Sequence, residues 1–128
     1  MMRAAPARAL ERQLAAVAAQ MARELRGGST VESALRCAVP PGRSGRAPDL
    51  SSDLARVVEL HDRGVALAAA LETWRRVRRH PAVDLFVAAC RFAHVHGGRT
   101  AVALDGAAAA LAARADVAEE TDALTAQA

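Results

Sequence analysis

Residues 86–114 read FVAACRFAHVHGGRTAVALDGAAAALAAR. Two apolar, alanine-rich arms flank Gly97 and Gly98, and each arm is long enough for a helix. A glycine pair is the strongest local breaker in this span. The stretch therefore predicts two antiparallel helices joined by a tight corner. The same corner recurs in shorter form at Gly27-Gly28 and at Gly64.

Superposed, the three corners share a spacing. Gly28 is followed by Val31, Ala34 and Leu35, Gly64 by Leu67, Ala70 and Leu71, and Gly97 by Thr100, Ala103 and Leu104. Glycine takes the left-handed conformation that closes one helix. The Ala and Leu that follow seat the next helix against its partner. The expectation is an all-α fold, a six-helix bundle built from three helical hairpins.

Composition agrees. Just over half of the 128 residues are apolar, Ala dominates that fraction, and Ile, Asn, Lys and Tyr are absent. Ala is the best helix former, and few β-branched or aromatic residues remain to build strands. The length suits a single domain, residues 1–128, with a real core. Every basic side chain other than His is Arg, and the formal net charge of +3 is modest. Weak basicity permits an acidic partner or a nearby membrane surface without implying nucleic acid.

In chain order, Leu10, Leu14, Val17, Met21 and Leu25 form one stripe and predict a helix from about Ala7 to Arg26. Ser29 and Glu32 have capping-box spacing and open a short second helix over 30–39. Residues 40–48, PPGRSGRAP, read as an internal loop. Asp49, Ser51 and Ser52 offer N-caps for helix three, which runs to about Arg63 with Leu50, Leu54, Val57, Val58 and His61 inward. Helix four spans 65–79, with Leu67, Leu71, Trp74 and Val77 inward. Pro81 opens helix five, which carries two apolar stripes, Val83, Phe86, Cys90, Ala93 and Leu85, Ala89, Phe92. Helix six follows Gly98. Its polar second half, with a sparse stripe at Val117, Thr121 and Leu124, is expected to project from the bundle.

Few residues point to chemistry. No phosphate-binding glycine loop, metal-spaced cluster or nucleophile elbow is present. No catalytic residue, metal ligand or cofactor is expected. His94 and His96 fall on different faces of a helix, and His61 reads as a satisfied polar residue. Cys37 and Cys90 sit on apolar faces and read as buried, reduced thiols. The one cluster that stands out is Arg75, Arg76, Arg78 and Arg79 beside the sole Trp, Trp74. It reads either as a solvated helix C-terminus, where cations suit the dipole, or as a docking patch for an acidic partner or anionic headgroups. Trp74 reads either as core or as an anchor for that partner.

Leu25-Arg26-Gly27-Gly28-Ser29 with Ala34-Leu35, Leu60 through Gly64 with Ala70-Leu71, and Phe92-Ala93-His94-Val95-His96-Gly97-Gly98 leading to Ala103-Leu104 together resemble the cytoplasmic domain of the type II secretion system F family, especially the TadB type of Flp pilus assembly protein. The tail, residues 122–128, resembles the approach to the next membrane helix in such proteins. The resemblance covers nearly the whole chain. It implies a non-catalytic inner-membrane platform component that engages a cytoplasmic secretion ATPase and other platform proteins and couples the motor to pilin assembly or export. It also implies a homo- or hetero-oligomer attached to the membrane through segments outside this chain.

The start, MMRAAPARALERQ, lacks the apolar segment of a signal peptide, and no uncharged apolar run is long enough to span a bilayer. The location that the resemblance implies is the cytoplasmic face of the inner membrane. The alternative from the residues alone is a small soluble helical regulator that binds nucleic acid or an acidic protein through the Arg cluster. Nucleic acid is not the expected partner, because stacking aromatics are scarce.

Overall fold

The structure, a computed structural model, describes residues 5–39, 49–96 and 101–127. Six helices follow one another: α1 (Ala5–Arg26), α2 (Val31–Ala38), α3 (Leu50–Asp62), α4 (Leu67–Arg78), α5 (Pro81–His96) and α6 (Ala101–Gln127). No strand occurs among the described residues. The fold is an all-α bundle. The internal loop expected at 40–48 and the corner at Gly97 and Gly98 lie outside the described residues.

Two corners are built alike. At the end of α1 the Gly28 amide donates to Leu25 O and the Ser29 amide to Glu24 O. At the end of α3 the Gly64 amide donates to His61 O and the Val65 amide to Leu60 O. Both are Schellman closures, which recover two carbonyls that a helix end would leave unpaired. The closing residue must be left-handed, and φ is +101° at Gly28 and +103° at Gly64.

This geometry explains the repeat. Position plus three is the first residue of the next helix, and positions plus six and plus seven fall on its inner face. Val31, Ala34 and Leu35 are buried in α2, and Leu67, Ala70 and Leu71 in α4. Only the plus-six and plus-seven positions of the third set fall within the described residues. α6 begins at Ala101, Leu104 is buried and Ala103 only half-buried.

The closures also correct two helix starts. The Ser29 amide is committed backwards to Glu24 O and its hydroxyl donates to Glu24 Oε1 at 3.4 Å, so the capping box with Glu32 does not form and Ser29 does not cap α2. Thr30 does, its hydroxyl accepting from the Ser33 amide at 3.1 Å. For the same reason Val65 belongs to the corner, and α4 begins at Leu67 instead of 65. α3 is capped by Asp49, which accepts from the Ser52 amide at 2.8 Å.

Consecutive helices meet, α1 with α2, α3 with α4 and α5 with α6, but the most extensive contact is between α1 and α6. Arg26 bonds Asp105, while Arg12 bonds both Asp116 and Glu119 at 2.7 Å, so the two helices run antiparallel. On α6, Ala101, Leu104, Ala107, Leu111 and Ala115 are buried along one face. Beyond Glu119 the described side chains, Glu120, Thr121 and Ala123 to Ala126, are all exposed, with Leu124 at 65%, so the end of the polar half projects as expected. The expectation fails only as far as Glu119, where the helix is held on α1. The reason lies in the acidic side chains themselves, which are the partners of Arg12.

Three further expectations are corrected. Val77 is 79% exposed, because α4 rolls past it and turns Arg78 inward in the last turn. Phe92 is half-exposed and stacks on His96 with ring centroids 4.2 Å apart, so the second stripe of α5 is covered at Ala89 but not at its end. Cys37 is exposed, since α2 buries only Val31, Ala34, Leu35 and Ala38. Cys90 is buried as expected.

Candidate functional site

The C-terminal end of α4 carries Trp74, Arg75, Arg76 and Arg78, and Arg79 is its C-cap. Trp74 belongs to the core, 7% exposed, and meets Phe86 edge-on with centroids 6.0 Å apart. Its indole N–H donates to Asp53 Oδ2 at 2.9 Å. Arg78 Nε donates to that same oxygen at 2.9 Å. One largely buried carboxylate on α3 thus satisfies both the tryptophan and the arginine, which is how a charged side chain comes to occupy an inner position.

The remaining arginines point elsewhere. Arg75 bonds Glu72 at 2.6 Å and reaches Asp84, in the first turn of α5, at 3.3 Å. Arg76 approaches Glu72 at 3.3 Å, and Arg91 of α5 approaches the same carboxylate at 3.4 Å. The hydrogen bond from Arg75 is the main reason that the Glu72 carboxyl is drawn down to about 2. Arg79 ends the helix in the left-handed region, φ 52°, with its amide donating to Arg75 O. No carboxylate partners the Arg79 side chain among the described residues.

The sequence cluster is therefore a network and not a free patch. Four guanidinium groups, at 75, 76, 78 and 91, share the carboxylates of Asp53, Glu72 and Asp84, and Arg79 stands beside them. The face keeps a positive excess, with Arg76 and Arg79 outermost. Asp53 and Arg91 could not be assigned to it from sequence, since nothing local marks a residue 21 positions from Trp74 as its partner. Glu72 carried a signal, its spacing of three and four from Arg75 and Arg76.

The other candidates are structural. His61 Nδ1 lies 3.0 Å from Val65 O and braces the second corner. His94 approaches Glu32 of α2 at 3.5 Å, and His80 Nδ1 accepts from the Ala82 amide at the start of α5. No group of three or more metal-ligating side chains occurs among the described residues. No helix among them is long and apolar enough to cross a membrane. No protein-family model, curated protein or solved structure matches the chain.

Proposed function

We propose that this chain is a non-catalytic helical scaffold, the cytoplasmic domain of an inner-membrane platform protein in a Tad-type pilus or type II secretion machine. In that role it couples the secretion ATPase to pilin assembly or export, and membrane attachment comes from segments outside this chain. The observation that carries the reading is the pair of equivalent glycine closures at Gly28 and Gly64. They fall on the motifs through which the sequence resembles the F family. The packing suits a rigid adaptor: side chains of the α4 end are tied to α3 and α5 by ion pairs, and an excess of positive charge remains outward for an acidic partner.

The ion pairing weighs against the nucleic-acid alternative, because Arg75, Arg76 and Arg78 already have carboxylate partners and Trp74 is withdrawn into the core. The test is affinity purification of the full-length protein from native membranes. Recovery of a secretion or pilus ATPase is expected. Recovery of nucleic acid instead, or of no component of such a machine, contradicts the reading.

A further inference from the structure

Two separate surfaces, on different helices, have matching chemistry. The first is an open groove between α3 and α4, about 400 Å³ in volume. Leu60, Trp74 and Val77 supply its apolar wall, and Arg56 stands on its rim. Val77 lies at the mouth because Arg78 has taken the inner position beside it. Asp53, also on the rim, is neutralised by Arg78. Arg56 has no carboxylate partner among the described residues, so the groove is apolar within and positive at its edge.

The second surface is the outer side of the α6 end. Val117 and Leu124 are exposed there, and Glu120 lies one turn before Leu124 without an ion-pair partner among the described residues. The turn that precedes this segment is held on α1 by Arg12 through Asp116 and Glu119. Glu120 and Leu124 are thus an acidic and an apolar side chain four residues apart on one helix. Arg56 and Leu60 are a basic and an apolar side chain four residues apart on another. Both spacings are about 6 Å along a helix.

We infer that the α6 end of one copy docks in the α3–α4 groove of a second copy, with Leu124 against Trp74 and Val77 and Glu120 on Arg56. α6 is one continuous helix held on α1 as far as Glu119, so its exposed end does not turn back to the groove of its own copy and the contact forms between molecules. It is head-to-tail: each copy offers a groove to one neighbour and a helix end to another, which builds rings or open chains instead of a closed dimer. The inference needs no membrane and stands apart from the platform reading.

Sedimentation velocity tests it, with Trp74 emission as the reporter of groove occupancy. The wild-type chain is expected to assemble beyond a dimer as concentration rises, and less so in high salt. Val77→Asp and Leu124→Asp, both at exposed positions, are each expected to weaken assembly at least tenfold with unchanged helical circular dichroism. Mixed together, they are expected to give a 1:1 dimer and nothing larger, since one keeps its groove and the other its helix end. Arg56→Glu is expected to weaken assembly and Glu120→Arg on the same chain to restore it.

A wild-type chain that stays monomeric at millimolar concentration overturns the inference. So does assembly indifferent to these variants, or a mixture that remains monomeric. Full-length Val77→Asp that no longer assembles yet still purifies with a secretion ATPase supports the contact and shows it to be separable from the platform reading.

Discussion

Cys90 and Cys37 have opposite surroundings. Cys90 is fully buried on α5, and burial pushes its thiol well above the usual range, whereas Cys37 is exposed on α2. The thiolate is the reactive species. A thiol titration of the native protein should therefore show one fast group, lost in Cys37→Ser, and a second that reacts only on unfolding. Two equally fast thiols would place Cys90 outside the core. Glu72 gives the pH counterpart. Its carboxyl is lowered from an ordinary 4.5 to about 2, chiefly by the Arg75 hydrogen bond. A depressed folded value means that the stabilisation is present above about pH 4.5 and is lost as pH falls through 2. Wild type should exceed Glu72→Gln in stability at neutral pH, and the gap should close across that window. A gap independent of pH would assign the effect to packing. At this scale the sequence was least informative. The stripe Leu67, Leu71, Trp74 was legible, but its continuation to Val77 was not, because the buried carboxylate that draws Arg78 inward comes from a different helix.

Helix boundaries follow from the corners more than from propensity. Gly28 and Gly64 were readable because a glycine after an amphipathic run has few other uses. What the sequence hid was the backward hydrogen bond of the following residue, which shifts each next helix to start at plus three. An added Cβ at Gly64 would meet nothing within 4 Å, so a substitution there costs backbone strain alone. Gly64→Ala should lower stability by about 1–2 kcal/mol, the penalty for a left-handed non-glycine residue. Arg79 already bears such a conformation at the end of α4. Arg79→Gly should accordingly raise stability by about 1 kcal/mol, read as a higher midpoint in chemical denaturation. Equal effects of the same sign in both variants would contradict the assignment of these two positions.

The molecule is closed by its two terminal helices, an arrangement that local patterns did not reveal. The alanine-rich face of α6 pointed to close packing, yet its partner could have been any neighbour, and nothing local marked Asp116 and Glu119 of the acidic half as partners of Arg12. Leu111 is fully buried on this α6 face. Leu111→Ala should cost about 2–5 kcal/mol, a large part of the roughly 5–15 kcal/mol that stabilises a domain of this size. A loss under about 1 kcal/mol in denaturant unfolding would mean that the α1–α6 seam is not part of the cooperative core. The platform role is tested most directly by photo-crosslinking in the native cell, with the reactive group placed at Arg76, an outermost position of the basic face, in the full-length protein. The account predicts an adduct with a secretion or pilus ATPase or another platform protein; adducts with nucleic acid alone, or none with any such component, would contradict it.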